Sequence, residues 1–162
     1  MKVLLLGGAG LEANTVARDL LGHGVEELIL ADYNEEGAKA QAALLADAFG
    51  KTVSAEFVDA NDEDSLVTLM KNIAPDIVMN TIGPFFRYGV KIPRAAIEAG
   101  CSYVDINDDY EPSVEVLDTL DKAAREKDLT VIIGCGATPG TSNMIGKYCY
   151  ETLDETDSIN ID

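Results

Sequence analysis

Positive charge is scarce in this chain. Lysine and arginine total 12 against 29 aspartates and glutamates, a formal net charge of −17 over 162 residues. A nucleic-acid phosphate backbone would be repelled, and no basic cluster offsets the charge, which excludes nucleic acid as a partner. An anionic membrane surface is excluded on the same ground. Cysteine is sparse too. Cys101, Cys135 and Cys149 are odd in number and unrelated in spacing, so they form neither a disulfide framework nor a zinc pattern. Reduced thiols of this kind fit a cytoplasmic protein. A single histidine, His23, leaves no paired imidazoles for a metal, and no metal is expected. Long apolar runs are missing. Val3–Leu6 is broken at once by Gly7 and Gly8, too short for a signal-peptide core. No stretch approaches the ~18 apolar residues of a membrane span. Repeats of solenoid period and low-complexity linkers are absent as well.

What is present reads as one globular domain. The apolar share of 47% is ordinary for a core and excludes a disordered acidic tail. A domain of this length buries roughly 70% of the surface its unfolded chain exposes, so no disulfide or metal staple is needed. The acidity then reads as a solvated surface, with salt adaptation or a site for a cationic amine as the alternatives.

Short β-rich runs alternate with longer helical ones. Lys2–Leu6 reads as a buried parallel strand. Leu11–Leu21 follows as a helix ended by Gly22 and Gly24. Glu27–Ala31 is a second strand, and Asn34 caps a helix that stops at Gly50. Thr52–Val58 is a third strand. Asp62 caps a helix through Ile73, and Pro75 blocks its extension. Asp76–Thr81 is a fourth strand, Gly83–Gly89 a loop, and Val90–Ala99 a helix. Ser102–Ile106 is a fifth strand, and Pro112 suits the first turn of a helix to Lys127. Leu129–Ile133 is a sixth strand, Gly134–Gly140 a second glycine-rich loop, and Thr141–Leu153 a last helix. The pattern predicts an α/β fold: a Rossmann-type doubly wound, mostly parallel sheet with helices on both faces. Ser158–Asp162 reads as the start of another strand. The expected division is therefore residues 1–156 as a dinucleotide-binding domain and 157–162 as the start of a substrate domain absent from this chain.

The first turn carries the chemistry. Gly8, Gly10 and Ala13 fill the pattern G-x-G-x-x-G/A between a strand and a helix. Gly8 is expected to permit the tight turn, Gly10 to let the backbone approach a pyrophosphate, and Ala13 to pack helix on strand. Ala9, Leu11 and Glu12 fill the loop between them. Glu12 suits the helix dipole but must point away from a pyrophosphate. Asp32 ends the second strand, where a carboxylate accepts from the adenine-ribose hydroxyls and repels a 2′-phosphate. That predicts NAD as cofactor. Asp59, with Ala60 and Asn61 at the end of the third strand, either touches the adenine or forms the turn before Asp62.

Three further segments resemble a known family. Asn80-Thr81-Ile82-Gly83-Pro84-Phe85 matches N-x-x-G-P-F. Ala96 to Asp105 carries A-G-x-x-Y-V-D. Gly136-Ala137-Thr138-Pro139-Gly140 matches G-x-x-P-G. In this order, with the glycine loop, they resemble the N-terminal NAD(P)-binding domain of the saccharopine dehydrogenase family, over essentially the whole chain. The resemblance implies a nicotinamide cofactor and hydride transfer to or from an imine or amine carbon of an amino-acid-like substrate. It also implies a second domain carrying much of the substrate site. Members using NADP are common in that family, so NADP stays open beside NAD.

Sites beyond the strand ends follow from the fold. Asn80, Gly83 and Pro84 are expected along the cofactor. Phe85 and Phe86 either wall the nicotinamide or a substrate chain, or pack on another domain. Arg87 either forks a substrate carboxylate or forms an ion pair. Asp105, Asp108 and Asp109 either attract a substrate ammonium group or cap the helix near Pro112. Cys135 is a candidate for acid–base work, with a small filler in a tight loop as the alternative. Apolar surface around Phe85 and Phe86 and beside the last strand predicts self-association as a homodimer. A dinucleotide sensor without chemistry is the competing reading. It needs the glycine loop and Asp32 but not the 83–85 and 134–140 segments. A different dehydrogenase on the same fold is a third, since fold does not fix function.

Overall fold

The computed structural model describes residues 1–160. Its strands are β1 (Lys2–Leu6), β2 (Glu27–Asp32), β3 (Thr52–Phe57), β4 (Ile77–Asn80), β5 (Ser102–Asp105) and β6 (Val131–Ile132). All pair in parallel, in the order β3-β2-β1-β4-β5-β6. The expectation of a mostly parallel doubly wound sheet is met by one parallel throughout. Strand order reverses between β1 and β4, which opens a crevice at their carboxyl ends.

The helices are α1 (Leu11–Gly22), α2 (Glu35–Phe49), α3 (Glu63–Ile73), α4 (Phe85–Tyr88), α5 (Lys91–Ala99), α6 (Tyr110–Glu126) and α7 (Thr141–Thr152). Alternation along the strands divides the core in two. Val3, Leu5, Leu28 and Leu30 face α1 and α2, meeting Ala13, Ala17 and Leu45. Leu4, Leu6, Ile29 and Ala31 face the other way, onto Leu66, Met70, Ile92 and Ala96 of α3 and α5. A smaller cluster joins Ile97 to Val116, Leu120 and Ala124 of α6.

Local chemistry sets the ends. Asn34 Oδ1 accepts from the Gly37 N–H at 3.1 Å, and Asp62 Oδ1 from the Ser65 N–H at 3.1 Å. Left-handed residues close α2 at Gly50 and α5 at Gly100. Three of the eight lysines reach backbone carbonyls at or just past helix ends. Lys51 Nζ donates to the carbonyls of Leu21 in α1 and Val25 beyond it, Lys127 Nζ to those of Ile97 and Glu98 in α5, and Lys2 Nζ to that of Ile73 in α3.

Three elements differ from the sequence reading. The 83–89 loop contains the short helix α4, started by Pro84 with its backbone extended at φ −77°. β6 is two residues rather than five. Asp128 turns left-handed and the Leu129 N–H closes back on the Ala124 carbonyl, which delays the strand, and Gly134 leaves the sheet toward Asp105. Ser158–Asn160 form no strand, and the rest of that expected element lies outside the described residues.

Candidate dinucleotide crevice

The glycine loop is held by backbone. The N–H groups of Gly7 and Gly8 donate to the Ala31 carbonyl at 2.9 and 3.1 Å, and the Gly10 N–H to the Gly7 carbonyl at 2.8 Å. The turn itself belongs to Gly7, whose φ is +83°, and not to Gly8 as expected. Gly8 serves close approach instead: a Cβ there would stand 2.6 Å from Leu30 Cβ and 2.9 Å from its Cα. Gly10 is different again. Its backbone is ordinary, and a Cβ would meet only the Gly7 carbonyl, at 3.0 Å. Ala13 is fully buried against β1 and β2, as the motif requires.

Gly10 stands at the cap position of α1, which therefore has no side chain capping it, unlike α2 and α3. Its first N–H groups therefore lack a side-chain acceptor, which is the arrangement an anion uses. Leu11 and Glu12 are exposed on that first turn. Asp32 lies beside it, half-buried. Its Oδ2 accepts from the Ala9 N–H at 3.0 Å and its Oδ1 from the Asn34 N–H at 2.8 Å. Each oxygen keeps a lone pair for a further donor, so the carboxylate can both brace the loop and receive ribose hydroxyls.

A cleft of about 420 Å³ collects these groups. Gly7, Gly10, Asp32 and Tyr33 line one side, and Asp59, Ala60, Asn61, Thr81, Ile82 and Gly83 are among those lining the other. No lysine or arginine is among its lining residues. Asp59 Oδ1 accepts from both the backbone and side-chain N–H of Asn61 at 2.8 Å. Those bonds, then the nearby Arg87 and Lys91, hold its carboxyl below the usual range. A second groove, about 330 Å³ between α6 and β6, is lined by Val116, Leu120 and Val131 together with Asp121 and Arg125, and lies far from the glycine loop in the fold.

The other expected residues divide. Asn80 is wholly buried, its Oδ1 accepting from the Ile82 N–H at 2.9 Å. Gly83 and Pro84 are exposed at the mouth. Phe85 turns inward and is only 7% exposed, whereas Phe86 is 76% exposed. Arg87 reaches away from the 134–140 loop, donating to Asn61 Oδ1 at 2.6 Å with Tyr88 Oη alongside at 3.1 Å. Asp105 is fully buried, and both its oxygens are occupied by donors from Tyr103, Asn107 and Gly134. It stands in the framework, not in the wall of the crevice. Asn107, rather than Asp108 or Asp109, holds the start of α6: its Oδ1 accepts from the Asp109 N–H and its Nδ2 donates to Ser113 Oγ. The Cys135 side chain is exposed, and its backbone N–H donates to the Asp105 carbonyl at 2.8 Å. Sequence reasoning missed Gly7 and Tyr103. Gly7 was legible as one glycine too many for the motif. Tyr103 was legible as a polar side chain two residues from Asp105 on an otherwise apolar strand face.

Fold and crevice together define a dinucleotide-binding domain of the doubly wound type. Known proteins sharpen this. Residues 3–132 match the family described as the saccharopine dehydrogenase NADP binding domain. The chain belongs to that family. It is 31% identical over 121 residues to a carboxynorspermidine synthase of Vibrio alginolyticus, covering 68% of this chain and 29% of the relative. A trans-acting enoyl reductase of Mycobacterium tuberculosis is 28% identical over 82 residues, covering 49% of this chain and 20% of the relative. The apo saccharopine dehydrogenase (L-Glu forming) of Saccharomyces cerevisiae superposes with a TM-score of 0.69 at 22% identity, over 94% of this chain and 30% of that one. The chain thus spans less than a third of the length of these relatives. Among the described residues, no helix is long and apolar enough to cross a membrane, and no cluster of His, Cys, Asp and Glu suits a metal.

Proposed function

We propose that this chain is the cofactor-binding domain of an oxidoreductase that moves a hydride between NAD(H) and the imine or amine carbon of an amino-acid-like substrate. One observation carries the cofactor half: an uncapped helix start, the bare Gly10 and the Asp32 carboxylate converge on a single cleft. The residues fit the ligand. The N–H groups opening α1 would take the pyrophosphate, Asp32 the adenine ribose, and Asp59 with Ala60 the adenine. The backbone of Asn80 to Pro84 would run beside the second mononucleotide. When bound, the nicotinamide supplies or accepts the hydride.

The lining supports NAD(H) over NADP(H). A 2′-phosphate would meet two carboxylates, Asp32 and Asp59, with no lysine or arginine in the wall. The family's description names NADP, so this chain's own residues argue against the family name on this point. The C–N chemistry draws on the carboxynorspermidine synthase and saccharopine dehydrogenase relatives. The enoyl reductase relative favours a second reading, with a C=C bond in place of C=N and the same cofactor half. The exposed Phe86 at the mouth supports a wall for the nicotinamide or a substrate chain, the engagement of Arg87 with Asn61 leaves it at the adenine end, and Cys135 remains the candidate proton donor. Three unpaired cysteines support a cytoplasmic setting, and exposed apolar surface supports a homodimer.

Calorimetric titration with NADH and NADPH tests the reading. NADH is expected to bind the chain weakly but more tightly than NADPH. No turnover is expected from a panel of amine–carbonyl pairs, because hydride transfer needs the substrate carbon held about 3–3.5 Å from the donor. Tighter NADPH binding would remove Asp32 from its assigned role. Robust turnover by these residues alone would place the whole substrate site within them.

A further inference from the structure

We propose that a buried chain of Asn80, Tyr103 and Asp105 positions the second-mononucleotide, nicotinamide end of the crevice by tying the segments after β4, β5 and β6 into one unit. The inference rests on the dinucleotide reading above. All three residues have 0% exposure. Strand register places Asn80 directly opposite Asp105, and Tyr103 lies two residues earlier on the same face of β5. Asn80 Nδ2 donates to Tyr103 Oη at 3.1 Å, and Tyr103 Oη donates to Asp105 Oδ2 at 2.9 Å.

Each end of this chain grips backbone. Asn80 Oδ1 accepts from Ile82 N–H at 2.9 Å. Asp105 Oδ1 accepts from Asn107 N–H at 3.0 Å and Gly134 N–H at 2.9 Å. The Asp105 carbonyl adds Cys135 N–H. Asp105 thus holds the backbone at 107 and 134–135 directly, and the phenol links that group to Asn80 and the Ile82 backbone. The direction is fixed by chemistry. An ionised carboxylate only accepts, so the phenol spends its one hydrogen on Asp105 and must accept from the Asn80 amide. The amide oxygen is then left for Ile82. Burial pushes both the Asp105 carboxyl and the Tyr103 phenol above their ordinary pKa values.

Such a chain is a poor source of stability. Buried ionised groups lose much of their hydration, and apolar replacements often do as well. What it provides is a fixed geometry for three loops at the carboxyl ends of the strands, where ligands of this fold lie. Ile82 and Gly83 line the cleft itself. Asp32 serves the half of the sheet formed by β1 to β3, so the tied loops serve the other mononucleotide.

Tyr103→Phe removes the one hydroxyl that links the segment after β4 to those held by Asp105, and keeps the ring. Affinities for NADH and for ADP-ribose, which lacks the nicotinamide, separate positioning from general damage. The chain has no tryptophan, so NADH fluorescence reads binding without interference. NADH affinity should fall about three- to tenfold, the worth of one net hydrogen bond, with ADP-ribose changed by less than about twofold. Should Tyr103→Phe fail to fold, Asp105→Asn carries the same comparison, since it keeps the volume and one acceptor oxygen. Equal losses for both ligands, no loss for either, or two variants that both fail to fold would overturn the inference. A parent chain that binds neither ligand would overturn the dinucleotide reading itself.

Discussion

Gly8 and Gly10 stand two residues apart in one motif, yet the structure gives them separable roles. A methyl group at Gly8 would be driven against Leu30 Cβ at 2.6 Å, Leu30 Cα at 2.9 Å and the Ala31 nitrogen at 3.1 Å. Two of those atoms are backbone of a central strand and cannot swing aside. Overpacking of this kind costs about 1–3 kcal/mol. For a domain of this size each kcal/mol lowers Tm by about 2–4 °C, so Gly8→Ala should melt about 2–12 °C below the parent. At Gly10 the added atom meets a single carbonyl at 3.0 Å and otherwise faces the cleft. Gly10→Val should cost about 1 kcal/mol or less in stability, as an N-cap substitution does. It should nevertheless exclude a pyrophosphate from the α1 N–H groups. Two lost hydrogen bonds to a charged group, at about 1.5–3 kcal/mol each, weaken a dinucleotide by about a hundredfold or more. Thermal melts and NADH titration on both variants check the pair. Gly10→Val binding as tightly as the parent would refute the phosphate assignment. Gly8→Ala melting with the parent would refute the packing argument.

Asp32→Ser should lower NADH affinity about tenfold through loss of charged hydrogen bonds to the ribose, and should narrow the gap to NADPH. An unchanged NADH to NADPH ratio on titration would contradict this. Burial raises the Asp105 carboxyl from its ordinary 3.8, so above that pH the unfolded chain holds fewer protons than the folded one, and stability falls as pH rises toward the raised value. Asp105→Asn does not titrate, so the stability of parent minus variant should decline across that window and level off above it; denaturant melts showing a flat difference would contradict the burial argument. Phe86 at the crevice mouth, with Met144, Ile145 and Tyr148 along the unburied α7, should make the chain self-associate. Sedimentation showing a monomer at every concentration would contradict that expectation.

The fold was legible because its signals are local and agree with one another. Apolar runs gave β1 and β2, Asn34 and Asp62 capped the helices they were expected to cap, and Pro75 stopped α3. Asp32 was legible from its distance to the glycines. What escaped depended on contacts between elements. That Gly8 packs on Leu30 is a fact about β2, not about the loop. Phe85 and Phe86 are indistinguishable in sequence, and only the turn of α4 sends one inward. Asp105 read as an acid that attracts a substrate ammonium group or caps the helix near Pro112. Its burial depends on Tyr103 beside it and on Gly134 arriving from 29 residues away.

Amide chemical-shift mapping of the chain with NADH tests whether a dinucleotide lies in the crevice between β1 and β4. Shifts should concentrate at 7–13, Asp32, 59–61 and 81–83. Shifts gathered instead along the α6 and β6 groove at Val116, Leu120 and Val131, or none at saturating NADH, would contradict it.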